Sequence, residues 1–524
     1  MIQVGNKERT VYGMAGLTLR HIIERNSTIW PNKLAVVDID GDKKYTFKEL
    51  NDRVNKLANQ LIKMGIRRGD HLAYISKDSV ECVEIMFAVN KLGAVWVPVN
   101  YRYTDNEIIS QLNHSDAVAV FFDSEFAEVM TRISGGLPNI PQNNFICIGE
   151  SEFFVSYESL IAEGSIANPS VQIDDTDACG VIYTSGTTGV PKGAIHSHRS
   201  IIGWALGSVL LAGWHWKDRV LNPFPMFHLG GTVISIACMI SGATNYMFGK
   251  FEVEKLLKKV EEEKITVMSV VPTILNAVLK LPEEEINKYD WSSLRILSTS
   301  SAPLLSQTQE AALKYWPQIN LYTFYSATEL FFSILMPEDH YVKTRCVGKP
   351  SIGMDLKVVD DKGNEVGPEE VGLIYGKGIS LFKGYYKNPE AEEKCFDGEW
   401  FTCEDMGYFD EDGYLYVVDR RKDMIISGGE NISSVEVEDI LIKNENILEA
   451  AVIGLPDELW GERVHAVVSL RPHSSTTGEE ILEWCKDKMA GYKRPKSIQI
   501  LPDLPKSPVG KILKLKLRDS IVRA

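Results

Sequence analysis

A run of glycines, hydroxyl side chains and one lysine lies between residues 183 and 193, with the sequence YTSGTTGVPKG. The apolar run 178–183 directly before it predicts a buried strand, so the run forms a loop beyond a strand end. Glycines allow close backbone approach to a ligand, hydroxyls donate hydrogen bonds and a lysine adds positive charge, a combination that favours a polyphosphate cradle. The candidate residues are Thr184, Ser185, Gly186, Thr187, Thr188, Gly189 and Lys192.

Two other nucleotide-binding patterns do not fit this run. In G-x-x-x-x-G-K-[ST] the lysine follows glycine directly, whereas Lys192 stands three positions after Gly189 and precedes another glycine. The dinucleotide pattern G-x-G-x-x-G is also absent from the run. A Ser/Thr/Gly-rich surface linker is the alternative for such a composition, and the embedded Pro-Lys-Gly favours the phosphate loop.

The run resembles the phosphate-binding signature of the adenylate-forming superfamily, which includes acyl-CoA synthetases, peptide-synthetase adenylation domains and beetle luciferases. The resemblance covers nearly the whole chain and implies ATP, Mg²⁺ and CoA as ligands. In the stretch YSATE, Glu329 is the expected magnesium ligand together with Thr184, and Thr328 is expected to contact the α-phosphate. Lys511, in PKSPVGKIL, matches the catalytic lysine of the family.

The resemblance also implies contacts to the nucleotide and to the thiol. Asp405 is expected to accept hydrogen bonds from the ribose, and Arg420 to touch it. Further nucleotide-site positions are Ser301, Ala302, Pro303 and Tyr325. The glycine loop that reaches the thiol tunnel in the family matches Ser427, Gly428, Gly429 and Glu430.

Several positions depart from the family pattern. Ser300 and Ser301 stand where glycines usually precede Ala-Pro, and Ser326 replaces the glycine of Y-G-x-T-E. Cys403 and Glu404 replace the Thr-Gly of T-G-D. We expect these changes to alter the adenine and acyl pockets, and the extra charge of Glu404 to weaken or rearrange the contacts to ATP.

The stretch LNPFPMFHLGG, residues 221–231, bears on the substrate acid. Its two prolines and glycine pair predict a loop that holds His228, which matches a family position between the acyl pocket and the ATP site. Amino-acid-activating members carry an aspartate shortly after this position, but here Leu-Gly-Gly-Thr follows. An α-amino acid is therefore disfavoured. The two glycines either leave room for an apolar tail or form a turn.

The resemblance implies an AMP-forming acid:CoA ligase that acts on an apolar carboxylic acid, a fatty acid first and an aryl acid second. The alternatives are an acyl-AMP ligase serving a carrier protein, a luciferase-type oxygenase and a non-catalytic acyl-nucleotide binder. The substrate carboxylate is already ionised near pH 7, so the reaction requires no protein nucleophile or general base. It requires positioned positive charge and hydrogen-bond donors.

Composition narrows the class of protein. The 524 residues carry a formal net charge of -15, which argues against nonspecific binding to nucleic acid. Eight cysteines without a C-x-x-C pair indicate reduced thiols in a cytoplasmic protein. No signal peptide is recognisable, and the uncharged stretch 230–249 contains four glycines, which disfavours a transmembrane helix. A homodimer is compatible with such a chain.

Strand and helix patterns alternate along the N-terminal part of the chain. A helix is predicted from Thr46 to Gly65, with capping-box spacing between Thr46 and Glu49, and another over 79–92. Strands are predicted over 72–76 and 94–99, and a buried helix over 200–216. This alternation indicates an α/β domain with a largely parallel sheet covered by helices.

The resemblance implies two domains: a large N-terminal α/β domain of mixed or parallel sheets, residues 1–421, and a small mobile α+β domain, residues 422–524. The boundary lies in the charged run 419–423, and Lys422 is the expected hinge residue. Between Gly491 and Arg518 basic residues outnumber acidic ones, which fits a lid over polyanions; a solvated tail is the other interpretation.

Overall fold

The computed structural model describes residues 16–41, 43–184, 191–249, 251–472, 474–507 and 510–522. Strands run through most of the chain and divide into three sheets. In chain order they are β1 (Leu34–Asp38), β2 (Lys44–Thr46), β3 (His71–Ile75), β4 (Val95–Pro98), β5 (Ala117–Asp123), β6 (Phe145–Ile148), β7 (Val155–Ser156), β8 (Ala178–Thr184), β9 (Lys192–Ser197), β10 (Arg219–Asn222), β11 (Thr244–Met247), β12 (Val267–Val270), β13 (Ile296–Thr299), β14 (Asn320–Ser326), β15 (Phe331–Leu335), β16 (Cys346–Pro350), β17 (Met354–Val359), β18 (Gly372–Gly378), β19 (Gly384–Tyr385), β20 (Phe396–Asp397), β21 (Trp400–Phe401), β22 (Asp405–Phe409), β23 (Leu415–Arg420), β24 (Ile425–Ser427), β25 (Glu430–Ile432), β26 (Ile447–Asp457), β27 (Gly461–Leu470) and β28 (Ser497–Ile500).

Helices alternate with the strands in the first two thirds of the chain. In chain order they are α1 (Leu19–Ile29), α2 (Phe47–Lys63), α3 (Val80–Lys91), α4 (Asp105–His114), α5 (Ala127–Ile133), α6 (Tyr157–Glu163), α7 (His198–Leu211), α8 (Leu229–Ser241), α9 (Val253–Glu262), α10 (Pro272–Leu279), α11 (Glu283–Ile286), α12 (Ser306–Tyr315), α13 (Pro389–Cys395), α14 (Ser434–Leu441), α15 (Gly478–Trp484) and α16 (Lys514–Val522).

Two large sheets organise the N-terminal part. Fifteen of the described strands form the first, in the order β2-β1-β11-β10-β12-β13-β14-β15-β16-β23-β22-β18-β21-β20, with β17 paired to β18. Its segment from β1 to β14 is parallel. Eight described strands form the second, in the order β19-β9-β8-β4-β3-β5-β6-β7, where β9 is antiparallel to both neighbours.

Helices lie between and outside the two sheets. One apolar core joins α1, α2, α3, α7 and α8 to the facing sides of both sheets. The outer face of the first sheet packs against α9, α10 and α12, and the outer face of the second against α4 and α5. Each sheet is thus covered on both faces, as parallel strands require. The prediction of an α/β domain with helix-covered sheets is confirmed.

The C-terminal part has a sheet of its own. Five described strands form it in the order β25-β24-β27-β26, with β28 parallel to β27. Helices α14 and α15 pack on one face and α16 on the other. This arrangement is a small α+β domain, as expected.

The early helix and strand predictions hold. Helix α2 begins after Thr46, whose hydroxyl and the Glu49 carboxylate form the expected capping box, and it ends before Gly65. Its apolar residues spaced three or four apart, such as Leu50, Val54 and Leu57, are fully buried. Helix α3 and strands β3 and β4 agree with their predicted ranges within two residues.

Two predicted ranges are wrong. The helix expected over 200–216 runs from His198 to Leu211, and the chain then turns at Gly213, which has a φ of 66°. The stretch 221–231 is a loop only in its centre, because Asn222 ends β10 and Leu229 begins α8. Gly231 lies in the first turn of α8, where a Cβ atom would come within 2.5 Å of the Phe224 carbonyl. The glycine pair therefore serves close packing rather than a turn.

None of the described helices has both the length and the apolar character needed to cross a membrane. The uncharged stretch 230–249 is divided between α8 and β11.

Candidate active site

Parallel strands of the first sheet bring the candidate residues to one edge. Strands β10, β13 and β14 run side by side with β12 and end at the same side of the sheet. His228 follows β10, Ser301 to Pro303 follow β13, and Glu329 follows β14. Ligands bind at the carboxyl ends of such strands, so this edge is the natural site of chemistry.

The phosphate loop is framed by two antiparallel strands. Thr184 at the end of β8 pairs with Lys192 at the start of β9, which confirms that the loop follows a strand end. The predicted cradle residues Ser185, Gly186, Thr187, Thr188 and Gly189 lie outside the described residues. The Lys192 ammonium lies 5.0 Å from the centre of the Tyr385 ring, a cation–π contact.

Glu329 is buried beside the strands that flank the phosphate loop. Its Oε1 accepts a hydrogen bond of 2.6 Å from the hydroxyl of Tyr385. Burial raises the pKa of Glu329, and the Tyr385 hydrogen bond and the charges of Arg420 and Lys192 oppose the rise. These partners stabilise the ionised carboxylate in a dry environment.

The described residues fit a Mg²⁺ ion whose ligands come mainly from the substrate and only in part from the protein. Glu329 has one carboxylate oxygen bound to Tyr385, which leaves the other for a cation. Among the described residues no group of three or more His, Cys, Asp or Glu side chains stands ready to bind a metal. Mg²⁺ that bridges nucleotide phosphates typically takes only one or two protein carboxylates and keeps several waters.

Asp405 is the centre of a hydrogen-bonded cluster. It pairs with Arg420 across the β22–β23 ladder, and Arg420 Nε lies 3.2 Å from Asp405 Oδ1. Oδ2 accepts a hydrogen bond of 2.7 Å from the Tyr325 hydroxyl and one of 3.2 Å from the Cys403 thiol. The departure at Cys403 therefore supplies a further donor to the carboxylate.

His228 caps helix α8. The Gly230 N–H donates to His228 Nδ1 at 3.1 Å, which fixes Nδ1 as the acceptor and leaves the proton of the neutral ring on Nε2. Burial lowers the pKa of His228 to about 4, with a further contribution from the charge of Lys511. The imidazole is thus neutral at pH 7 and carries its proton on Nε2.

Lys511 reaches this cluster from the C-terminal domain. Burial lowers its pKa to about 8; the Arg420 charge lowers it further, and the Asp405 charge opposes the shift. The Lys511 charge also contributes to the lowered pKa of His228, so it acts on the loop after β10 as well as responding to Arg420 and Asp405. The neighbouring Gly510 lies against Thr273 of the N-terminal part, where a Cβ would come 2.5 Å from the Thr273 hydroxyl.

Three buried side chains that the sequence analysis missed hold these residues in place. Tyr385, in the tyrosine pair of KGYYKNP, binds Glu329. The His196 ring, which follows the phosphate loop, lies 2.9 Å from the Thr328 carbonyl through Nε2. Asp78 accepts from the Met226 N–H at 2.9 Å and so anchors the loop before His228. In the sequence, Tyr385 and His196 could have been recognised because each lies near a motif. Asp78 offered no such signal.

Two of the departures from the family pattern have unusual backbone angles. Ser301 has a φ of 71° and Glu404 a φ of 64°, the left-handed region that glycine adopts without steric cost. A glycine, which the family resemblance predicts at these positions, would adopt these angles without strain. The side chain of Glu404 is exposed.

The predicted thiol-loop residues form a separate turn. Ser427 and Glu430 pair across the β24–β25 hairpin, with Gly428 and Gly429 at its tip in left-handed conformations. The Gly428 N–H donates to the Trp460 carbonyl at 2.8 Å, and Ser427 pairs with Gly461. The described contacts of this turn are therefore within the C-terminal domain.

Three lysines of the basic C-terminal segment form ion pairs within their own domain. Lys493 lies 2.6 Å from Glu436, Lys506 lies 2.8 Å from Glu449, and Lys514 lies 2.7 Å from Glu438. The described ion pairs of these three lysines lie within the C-terminal domain, and a basic lid over polyanions stays a prediction.

A pocket opens beside the first turn of α8. The space inside it that a water-sized group can occupy is about 20 Å³. Its apolar wall includes Val233, Ile234 and Phe324, and Ser300, one of the departures from the family pattern, also lines it. None of the described residues that line this pocket is charged.

Comparison with known proteins gives consistent matches over the chain. Residues 23–386 match the family model described as AMP-binding enzyme, and residues 436–511 match its C-terminal domain. A long-chain-fatty-acid–CoA ligase of Mycobacterium tuberculosis is 33% identical over 504 residues, covering 95% of this chain and 97% of the relative. A 2-succinylbenzoate–CoA ligase of Oceanobacillus iheyensis is 34% identical over 506 residues, covering 95% and 99%.

A solved structure is similar over the same length. The crystal structure of an anthranilate CoA ligase in complex with anthranoyl-AMP superposes with a TM-score of 0.89 at 30% identity. The match covers 96% of this chain and 97% of that chain.

Proposed function

The chain belongs to the AMP-binding enzyme family, and we propose that it is an AMP-forming acid:CoA ligase. It joins an apolar carboxylic acid to the AMP part of ATP and then transfers the acyl group to CoA. The observation that carries the proposal is the position of Lys511, whose pKa responds to Arg420 and Asp405 and which in turn acts on His228. A cation from the C-terminal domain thus lies among the nucleotide-site and acyl-site candidates.

In the first half-reaction an oxygen of the substrate carboxylate attacks the α-phosphorus of ATP, and the bond to pyrophosphate breaks. An anion approaches a polyanion, so the barrier is mainly electrostatic and geometric. Lys511 holds the carboxylate against the α-phosphate, while Thr184, Lys192 and Thr328 bind the phosphates. The neutral His228 orients the acid through its Nε2–H.

We assign the ribose to Asp405, Arg420 and Tyr325, and the adenine to the turn Ser301–Pro303. Mg²⁺, when bound through Glu329 and Thr184, neutralises charge on the phosphates. The hydrogen bond from Tyr385 favours the ionised form of Glu329 and opposes the rise in its pKa that burial causes.

In the second half-reaction the CoA thiolate attacks the acyl carbonyl and AMP leaves. We propose that residues 422–524 rotate against residues 1–421 between the two half-reactions. Lys422 lies in the turn between β23 and β24 and is our hinge. The rotation withdraws Lys511 and brings the turn Ser427–Glu430 to the thiol.

The pocket beside α8 is our acyl site. Its apolar wall and the absence of charge among its described residues favour an apolar acid over an amino acid. A fatty acid and an aryl acid both fit this description. An acyl-AMP ligase that serves a carrier protein differs only in the thiol it accepts.

We place the enzyme in the cytoplasm because its eight cysteines are unpaired and seven of them are buried.

Pyrophosphate release with a panel of acids, with and without CoA, tests this function. We expect release that depends on the acid, on ATP and on Mg²⁺, and acyl-CoA as product when CoA is present. Product that forms only with an acyl carrier protein would favour the carrier-protein alternative. Absence of pyrophosphate release, with ATP and acyl-AMP bound tightly, would instead support a non-catalytic binder.

A further inference from the structure

The Asp405 carboxylate, which is our ribose ligand, already accepts hydrogen bonds from the protein. Oδ2 accepts from the Tyr325 hydroxyl at 2.7 Å and from the Cys403 thiol at 3.2 Å. Oδ1 accepts from Arg420 Nε at 3.2 Å. An ionised carboxylate offers about four acceptor positions, two on each oxygen. Counting donors in the part of the chain that the structure describes, one position remains, and it is on Oδ1.

Both groups that face Oδ2 have a hydrogen to donate. Burial raises the pKa of Tyr325 well above its ordinary value, and the Asp405 charge raises it further. Burial and the Asp405 charge likewise raise the pKa of the Cys403 thiol. Both groups are therefore protonated near pH 7. The Cys403 sulfur lies 3.9 Å from the Tyr325 oxygen, farther than from Oδ2, so the carboxylate is the acceptor of the thiol hydrogen.

The two donors are held in place by their surroundings. The Tyr325 ring stacks on the Phe332 ring with 4.7 Å between the ring centres. The backbone on either side of Cys403 is fixed by hydrogen bonds, from the Thr402 N–H to the Cys395 carbonyl at 2.9 Å and from the Arg421 N–H to the Glu404 carbonyl at 2.8 Å. The occupation of Oδ2 is therefore a built feature of this site.

We infer that Cys403 limits Asp405 to one hydroxyl of the ribose, so that the enzyme uses one of the two analogues 2′-deoxy-ATP and 3′-deoxy-ATP nearly as well as ATP. This inference rests on the proposed function, in which Asp405 binds the ribose, and it deepens the specificity of that site. A carboxylate with acceptor positions free on both oxygens would bind both hydroxyls and would discriminate against both analogues.

The expected selectivity follows from the value of a hydrogen bond to a charged group. Such a bond changes affinity by roughly tenfold or more. The analogue that lacks the hydroxyl bound to Oδ1 should therefore lose roughly tenfold or more in kcat/KM. The other analogue loses no bond to Asp405, so its kcat/KM should stay within about threefold of the value for ATP.

The first test compares ATP, 2′-deoxy-ATP and 3′-deoxy-ATP in the pyrophosphate-release assay with one saturating acid. The inference requires one analogue to be tolerated and the other to be rejected. Rejection of both would show that Asp405 accepts from both hydroxyls and would overturn it. Tolerance of both would show that Asp405 does not select the ribose and would overturn it as well.

Variants at Cys403 show whether the thiol sets this selectivity. Cys403→Val removes the donor and fills the space of the thiol, and the threonine that the family resemblance predicts at this position has the same shape. An acceptor position on Oδ2 becomes free, so the tolerated analogue should become roughly tenfold worse than ATP. Cys403→Ser keeps a donor and should keep the wild-type ratio within about threefold.

Cys346→Ala is the matched control, because this buried thiol donates to the Leu415 carbonyl at 3.4 Å and the change should leave the ratio as in the wild type. A merely structural role of Cys403 would lower kcat/KM for ATP and both analogues equally. An unchanged ratio in Cys403→Val, or the same rise in the Val and Ser variants, would therefore overturn the inference.

Equilibrium titration of the enzyme with ATP and the two analogues, without acid, gives a readout that is independent of turnover. The ratios of Kd should follow the same pattern in the wild type and in the variants. If no acid supports pyrophosphate release, the proposed function fails, whereas the pattern of Kd values still decides the inference. Equal Kd ratios in the wild type and Cys403→Val would overturn it.

Discussion

The hydroxyl of Tyr385 lies 2.6 Å from Oε1 of Glu329, although 56 residues separate them in the chain. Glu329 follows the first sheet's strand β14, and Tyr385 belongs to β19 at the edge of the second sheet. The bond therefore ties the proposed metal ligand to the sheet that carries the phosphate loop.

Tyr385→Phe should lower kcat/KM for ATP by roughly tenfold, because a hydrogen bond to a charged group contributes about 1.5–3 kcal/mol. Without the hydroxyl the pKa of Glu329 rises further, so the acid limb of the pH profile should move to higher pH. Tyr386→Phe is the control, since its hydroxyl binds Asp116. Equal losses in the two variants would contradict a specific role for Tyr385.

Lys511→Ala should separate the two half-reactions. Removing a positive charge that acts on the α-phosphate should slow adenylation a hundredfold or more, about 3 kcal/mol. Thioester formation from preformed acyl-AMP should change little, because the proposed rotation withdraws Lys511. Single-turnover kinetics of each step measures this, and comparable losses in both would refute the division of labour.

The pKa of Lys511, lowered from its ordinary value to about 8, predicts the alkaline limb of adenylation. The ammonium is present below this pKa and is lost above it, so kcat/KM should fall as pH rises through about 8 in the free enzyme. Lys511→Arg, whose guanidinium stays charged, should lose this limb in its residual activity. A wild-type profile that stays flat up to pH 10 would show that the ammonium is not required.

Two substitutions at His228 distinguish its capping role from its proposed contact with the acid. His228→Asn keeps an N-cap acceptor, whereas His228→Ala removes it and should cost roughly 0.5–2 kcal/mol of stability. Both variants lose the Nε2–H donor and should raise the KM for the acid. Thermal unfolding and acid titrations check this, and an Asn variant with wild-type KM would show that the imidazole only caps α8.

Glu404→Gly should stabilise the protein by about 1 kcal/mol, because a side chain at a φ of 64° is strained. It should also lower the KM for ATP by removing negative charge near the proposed nucleotide site. Glu404→Gln is the matched control, since it removes the charge but keeps the strain. Denaturant unfolding and ATP titration of both variants separate the two effects; if Gln stabilises as much as Gly, backbone strain is not the cause.

The sequence by itself identified the motifs and the local structure. Short-range patterns predict the residues before and after the phosphate loop, the helix that begins after Thr46, and the alternation of strands and helices. They do so because capping and burial periodicity are properties of neighbouring residues. The family resemblance predicted Asp405, Glu329 and Lys511 as site residues from the sequence alone.

The tertiary structure decided which of these residues meet and what supports them. The contacts of Tyr385 with Glu329, of His196 with Thr328 and of Asp78 with Met226 join segments far apart in the chain. Local patterns record the spacing of residues along the backbone, whereas partners across sheets depend on how whole layers pack, which no short stretch of sequence specifies.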